Sequence, residues 1–421
     1  MPGAGPGTPC ASVVAKRRRR DLWWAHHTAK GGTDCSLEHL SAELGGAGIR
    51  GWGVGPVLEK FADVSRIAVL RGGGLGDLLF ALPAVTALVA AYPGAAVTLL
   101  GSPGHADLLR STLAPVGDVR ILPAAEGLRP GTNDPSGVEE FVASMRREEF
   151  DLAVQLHGGG RFSNPFLLRL GARHTVGSRT SDAAPLERTV PYTYYQHEPL
   201  RGLEVAGLAG APPVQLEARL RPMEVSTAGV TDLLQSHGDS PGTPLVAIHP
   251  GATDPRRRWP AERFGEVAAA CAVDGCRVLV IGTADEQPLA DDVVAAAGSS
   301  RVTSVAGEIS LGSVAALLDQ CAVLLGNDSG PRHLAQALGT PTVGLYWVGN
   351  LINAGPLGRT QNRVHLSWLT HCPECGADIT QVGWTAARCA HDTSLLAGIS
   401  AADVYRDVRN FTATTPPARG R

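Results

Sequence analysis

Apolar residues alternate along most of the chain between short branched runs and longer stretches with helical spacing. Arg66–Leu70, Val97–Leu100, Val119–Leu122 and Leu152–Leu156 read as buried strands, and Asp77–Tyr92, His105–Arg110, Val138–Arg147 and Leu200–Leu208 as the helices among them. Pro83 predicts a kink or restart in the first of these helices, and Arg173–Pro199, rich in Tyr, Arg and His, reads as irregular. After a connection over Ala218–Gly242, a second series begins with strand Leu245–Ile248. It continues with a helix opened by Trp259–Phe264, strand Val278–Ile281, and helices Leu289–Ala297 and Leu311–Gln320. Strand Ala322–Leu325, a helix carrying Leu334, Ala337 and Leu338, strand Thr342–Leu345 and a last helix, Ala401–Arg409, complete it. Strands alternating with helices specify parallel sheets covered on both faces, so the expected class is α/β, with two doubly wound domains facing a cleft. The expected divisions are a disordered or loosely attached basic extension at 1–62, domains at 63–225 and 226–400, and a final helix and tail at 401–421.

Composition narrows the function classes. A chain of 421 residues has room for two domains with sizeable cores, and a net charge of -3 with 44% hydrophobic residues predicts neither a nucleic-acid binder nor a membrane-coating protein. The Arg17–Arg20 run reads as a solvated tail. The longest apolar stretch, Leu78–Tyr92, falls short of the roughly 18 residues a span needs, and the N-terminus lacks a signal-peptide pattern. A cytoplasmic location is expected, with at most peripheral association at the inner face of a membrane. Eight cysteines in so long a chain do not form a disulfide framework, and Cys271, Cys276 and Cys321 read as small buried thiols.

Four loops at the carboxyl ends of strands carry candidate chemistry. Asp328-Ser329-Gly330-Pro331 joins a strand to a helix; its backbone N–H groups and the positive end of the helix dipole suit a phosphate or pyrophosphate. His249-Pro250-Gly251-Ala252-Thr253 leads to the cations Arg256, Arg257 and Arg258, and Thr283-Ala284-Asp285-Glu286 places acids where ribose hydroxyls could bind. Together these three describe a nucleoside-diphosphate site. In Arg71-Gly72-Gly73-Gly74-Leu75-Gly76-Asp77, Asp77 stands where a dinucleotide fingerprint needs its third glycine, and a carboxylate there would repel a phosphate. This loop reads as presenting a carboxylate to the site, and capping its own helix is an alternative or additional role for Asp77.

The Asp77 loop, the His-Pro-Gly-Ala loop ending in Arg-Trp-Pro, and Asp-Ser-Gly-Pro-x-His-Leu-Ala-x-Ala-Leu-Gly resemble the ADP-heptose:lipopolysaccharide heptosyltransferases, glycosyltransferase family 9, over about Arg66–Arg409. The resemblance implies a GT-B fold of two Rossmann-like domains, an inverting transfer and no metal requirement for catalysis. It implies that Asp77 is the catalytic base toward the acceptor hydroxyl and that Arg257, where the family usually has a lysine, meets the donor diphosphate. Glu286 would hold the ribose, Ile309 would lie by the adenine, and Asp328, Ser329, Gly330 and His333 would contact diphosphate and sugar, with Thr253 beside them. The implied partners are a nucleotide-sugar donor, ADP-heptose or similar, and a saccharide or glycosylated acceptor. By position, His157, Arg161, Asn164, His197 and Arg201 are the acceptor-side candidates.

Cys372-Pro373-Glu374-Cys375 followed by Cys389-Ala390-His391 offers a Cys3His set, compatible with a structural zinc, free thiols or a disulfide. Two other functional classes stay open at this stage: a sugar-nucleotide epimerase or hydrolase on the same fold, and a noncatalytic nucleotide-sugar-binding protein.

Overall fold

Branched apolar residues over Arg66–Leu70 (β1) are buried from Ile67 onward, and Gly74 releases the chain into a 17-residue helix, Leu75–Ala91 (α1). In this computed structural model the described residues are 54–223, 230, 234, 242–380 and 386–414. All fall within one compact unit, Arg50–Arg421. The Arg17–Arg20 run, most of the expected extension and much of the expected interdomain connection lie outside the described residues.

The first half continues with β2 (Ala96–Gly101), α2 (Pro103–Ser111), β3 (Thr112–Leu113), β4 (Asp118–Ile121), α3 (Pro135–Arg146), β5 (Leu152–Gln155) and α4 (Ser163–Arg169). It closes with β6 (His174–Arg179), β7 (Arg188–Pro191), α5 (Glu198–Leu208) and β8 (Arg221–Pro222). The second half has β9 (Leu245–His249), α6 (Ala261–Val273), β10 (Arg277–Val280), α7 (Gln287–Ala297), β11 (Val302–Ser304), α8 (Leu311–Gln320) and β12 (Val323–Asn327). It ends with α9 (Gly330–Leu338), β13 (Thr342–Trp347), α10 (Val348–Ala354), β14 (Asn362–Ser367) and α11 (Ala401–Thr414).

Each half is a six-stranded parallel sheet, ordered β4-β2-β1-β5-β6-β7 and β11-β10-β9-β12-β13-β14. Both orders are the doubly wound pattern in which the winding reverses beside the first strand, between β1 and β5 and between β9 and β12. Loops leaving those strands splay apart and leave a crevice, so the fold itself selects the loops read above as chemically active. Small β3 and β8 pair antiparallel at the edge of the first half.

Several expectations change. α1 runs through Pro83 unbroken, because Leu79, Leu82, Ala84, Val85 and Leu88 are all buried and their packing outweighs one missing hydrogen bond. Arg173–Pro199 contains β6 and β7, whose polar residues hide them from a pattern reading, although β5 supplies the parallel pairing Leu152↔His174 through Gln155↔Gly177. Order begins ahead of residue 63: Phe61 is buried, stacks on His174 at 4.0 Å and lies under Arg188, while Leu58 N–H donates to the Gly207 carbonyl. The last helix is no detached tail, since Val404, Val408 and Phe411 share the core of β9, β10 and α6. A single apolar cluster also crosses between the halves, joining Leu78, Leu82 and Leu203 to Leu317, Leu324, Leu334 and Ala337.

Candidate functional site

On the first half, Asp77 is the third residue of α1, and its Oδ2 accepts a 2.8 Å bond from the Gly74 N–H. Its Oδ1 takes a 2.5 Å ion pair from Arg71, yet the side chain keeps 44% exposure. The cap and the open carboxylate therefore coexist. Arg71 is buried and anchored by donating to the carbonyls of Leu156 and Asp77, and Glu198 lies 3.6 Å away. Fully buried His105 accepts from Ser102 N–H through Nδ1, so its Nε2–H donates to the Gly74 carbonyl at 3.0 Å and fixes the glycine loop.

On the second half, Asn327 closes the end of β12. Its Nδ2 donates to the Pro250 carbonyl at 2.7 Å and its Oδ1 accepts from the Trp259 N–H, tying the two loops at the winding reversal. Beyond it Asp328 is buried, with Oδ1 2.9 Å from His333 Nε2 and Oδ2 2.8 Å from Asn350 Nδ2. Arg257 reaches the same Oδ2 at 3.7 Å. Burial pushes the Asp328 carboxyl up, but the His333 hydrogen bond and the charges of Arg257 and Arg332 hold it below the ordinary value. His333 is pushed down to about 4 by burial and by Arg332, so at neutral pH it is uncharged. Arg332 donates to its Nδ1, which leaves the proton on Nε2 for Asp328.

His249 joins two donor-side loops: Nδ1 lies 2.9 Å from Ser329 Oγ and Nε2 3.3 Å from Glu286 Oε2. Glu286 also accepts from the Thr283 N–H at 2.9 Å, and the His249 bond above all drives its carboxyl down to about 2. Its other oxygen sits against Gly251, a position any Cβ would fill. Of the three arginines, Arg256 is buried against Asp254 and Arg258 donates to the Ala252 carbonyl, so Arg257 alone of the three faces Asp328. Thr253 is exposed at the loop tip, and Ile309 is half-buried on the loop after β11.

The two helix starts abut. A Cβ on Gly330 would lie 2.9 Å from Leu75 Cβ, a Cβ on Gly76 would lie 3.3 Å from His333 Cδ2, and Phe80 meets the His333 ring edge-on at 4.5 Å. The exposed carboxylate of Asp77 and the helix-start turn of Ser329 and Gly330, whose first amides suit an anion, thus flank one seam.

The acceptor-side residues divide. His157 lines a hollow of about 350 Å³ with Gly73 and the loop from Ala125 to Gly131, which sequence reading missed although Gly127, Pro130 and Gly131 mark a built turn. Burial, then Arg71, pushes His157 below the ordinary histidine value. Arg161 is exposed, paired with Asp182 at 3.7 Å, and His197 Nε2–H donates across the halves to the Gly355 carbonyl at 2.6 Å. Two candidates are corrected. Asn164 is fully buried, its Nδ2 donating to the Ser178 and Ala184 carbonyls. Arg201 is buried and spent on Glu198 and the carbonyls of Thr193, Tyr194 and Gln196. Both lie on helices, Asn164 on α4 and Arg201 on α5, and brace the loops whose carbonyls they meet.

Cys372, Cys375, Cys389 and His391 place their ligand atoms within 4.8 Å of one another. The three cysteines form no disulfide, and Cys271, Cys276 and Cys321 are buried as expected. Among the described residues no such group forms at Asp77 or Asp328.

Two sheets with crevices at matching winding reversals, a carboxylate on one side and an anion-binding helix start on the other, define a glycosyltransferase of the GT-B type. The chain belongs to glycosyltransferase family 9 (heptosyltransferase), whose model matches residues 138–379. It is 25% identical over 294 residues to lipopolysaccharide heptosyltransferase 2 of Escherichia coli strain K12, covering 67% of this chain and 82% of that protein. To lipopolysaccharide heptosyltransferase 1 of Pseudomonas aeruginosa it is 26% identical over 327 residues, covering 74% and 86%. The fold is similar to that of the solved family 9 glycosyltransferase from Veillonella parvula (TM-score 0.68, 20% identity, 83% of this chain and 98% of that one). It is likewise similar to E. coli ADP-heptose lps heptosyltransferase II (TM-score 0.64, 20% identity, 83% and 98%).

Proposed function

We propose that this glycosyltransferase moves a heptose from ADP-heptose, with inversion, to a hydroxyl of a saccharide acceptor or a glycosylated metabolite. The observation that carries the reading is the placement of an exposed Asp77 across one seam from the Ser329-Gly330 turn and Arg257. Asp77 takes the acceptor proton as that oxygen attacks the anomeric carbon. The bond to the diphosphate breaks on the opposite face, and the departing ADP carries its electron pair onto oxygens met by the Arg257 guanidinium and the first amides of α9. A carboxylate is a weak base toward an alcohol, so Asp77 acts in concert with attack rather than before it. Glu286 holds the ribose through the oxygen His249 leaves over, Ile309 lies along the adenine, and Asp328, Ser329, Gly330, Thr253 and His333 complete the donor side. Both ring nitrogens of His333 are engaged, so it acts by holding Asp328. His157 and Arg161 face the acceptor, with His197 at the seam.

The donor assignment is supported by relatives named as lipopolysaccharide heptosyltransferases and by a solved E. coli heptosyltransferase described with ADP. Arg257 and the α9 amides supply the positive charge that a metal supplies elsewhere, so catalysis on this reading needs no metal. A metal at Cys372, Cys375, Cys389 and His391 is structural. No described helix is long and apolar enough to cross a membrane. The proposed place of work is the cytoplasm, at most peripherally on the membrane's inner face, with a lipopolysaccharide-type saccharide as acceptor.

The test is transfer from ADP-heptose to a heptose-deficient core saccharide with a chelator present, the product's anomeric configuration being read by NMR. Retained configuration, or activity lost in chelator and restored by magnesium or manganese but not by zinc, would contradict the mechanism. Free sugar or an isomer from donor alone would replace transfer with hydrolysis or epimerisation.

A further inference from the structure

The Cys3His cluster is joined to the donor side by a short mechanical path. Cys372 and Cys375 occupy a tight turn in which Gly376 N–H donates to the Cys372 carbonyl at 2.9 Å and Cys372 N–H to that of Ala377 at 2.8 Å. Gly376 takes a positive φ of 70°, and both thiols are thereby presented to one point. Cys389 and His391 approach the same point from a segment remote in sequence. Cys372 Sγ lies 3.7 Å from His391 Nδ1. A tetrahedral zinc, with bonds of about 2.3 Å to sulfur and about 2.0 Å to nitrogen, sets neighbouring ligand atoms about 3.6 Å apart.

From His391 the chain runs directly over the arginine turn. Ser394 Oγ–H donates to the Arg258 carbonyl at 2.5 Å and Leu395 N–H to the Arg256 carbonyl at 2.8 Å, so the residues on both sides of Arg257 hang from this strap. Arg388, next to Cys389, lies 3.6 Å from Asp254, whose carboxylate caps the same turn through the Arg256 N–H. Leu395 packs with Cys372 and Ile379, so the strap and the turn bearing the first two thiols share one small apolar core. From the first half, the Tyr195 hydroxyl donates to the Thr380 carbonyl just past that turn.

We propose that Cys372, Cys375, Cys389 and His391 bind one tetrahedral thiophilic divalent metal, zinc by donor set, and that this metal positions Arg257 for the donor diphosphate. The site claim stands on the four ligands alone, whereas the coupling to Arg257 rests on the donor reading above. With the metal bound, residues 388–395 are pinned at one end by the ligands and at the other by Ser394 and Leu395. Without it, the ties described beside Cys389 are the surface ion pairs of Arg388 with Asp254 and Asp392.

The full-length protein, purified without chelator under reducing conditions, should carry about one zinc per chain by elemental mass spectrometry, and Cys375→Ser should lose it. Cys375 is exposed, so its loss leaves the core packing intact, and chelator stripping of the parent chain provides a second metal-free sample whatever the variant's folding. Calorimetric titration with ADP should show about tenfold weaker binding in either metal-free sample, restored by zinc in the stripped parent. Arg257→Ala should weaken ADP binding similarly and abolish any further effect of stripping. A parent chain that neither carries zinc nor takes it up after reduction overturns the site. Equal ADP affinity with and without metal, or an undiminished stripping effect in Arg257→Ala, overturns the coupling. A parent chain that holds zinc but shows no ADP binding keeps the site and instead defeats the donor reading.

Discussion

Glu286→Gln isolates one charge in the donor side. The carboxylate accepts from the Thr283 N–H at 2.9 Å, the Thr283 hydroxyl at 3.2 Å and His249 Nε2 at 3.3 Å, and its value falls from 4.5 to about 2. A folded-state value below the unfolded one stabilises the protein at pH above about 4.5, and that contribution is lost as pH falls through about 2. The full difference corresponds to about 3 kcal/mol, and solvent reaching part of the side chain reduces this to about 1–2 kcal/mol. Gln keeps the shape and one acceptor but never the charge. Urea unfolding at pH 7 should therefore show the variant less stable by about 1–2 kcal/mol, and the gap should close between about pH 4.5 and pH 2 as the parental Glu286 takes up its proton. A gap constant across that range would refute the assignment of the stabilisation to the ionised carboxyl. The same variant should bind ADP about tenfold more weakly while retaining turnover at saturating donor, the signature of an interaction made equally in ground and transition states.

Asp77→Asn keeps an acceptor for the Gly74 N–H, so it should cost only about 1 kcal/mol in stability while turnover falls about 10²- to 10⁴-fold and ADP binding persists; near-parental turnover would remove Asp77 from the base role. Asn327→Ala strands the Trp259 N–H and the Pro250 carbonyl in a fully buried place, and thermal or urea unfolding should register about 3 kcal/mol. Gly330→Ala sets a methyl 2.9 Å from Leu75 Cβ, and the expected loss of about 1–3 kcal/mol and of turnover should be partly relieved by adding Leu75→Gly, which removes that Cβ. If the second substitution brings no recovery, the close approach of the two helix starts is not what Gly330 serves.

The units β1–α1 and β12–α9 were legible because their signals are local: a branched run, glycines or a cap at the boundary, then helical spacing. Strands β6, β7 and β14 were not, because Thr, Ser, Arg and His there take their strand geometry from a neighbour in the sheet. The same division runs through the site. Asp328, Ser329 and Gly330 follow from one turn, whereas His249 matters only because the winding reversal sets β9 beside β12 and lets one imidazole touch both Ser329 and Glu286. Asn164 and Arg201 were candidates by position in the chain, and only three-dimensional placement shows them buried. The resemblance alone set Arg257 apart from Arg256 and Arg258, and the physical distinction comes from the turn from Pro255 to Arg257, which points each in its own direction.

The aliphatic cluster shared by Leu78, Leu82, Leu317 and Leu334 bears on how such an enzyme can move. Peeling the lobes apart would wet that surface at about 25 cal/mol for each Å² uncovered, a penalty that grows with the amplitude of the swing. Small excursions of the halves therefore cost less than a wide separation.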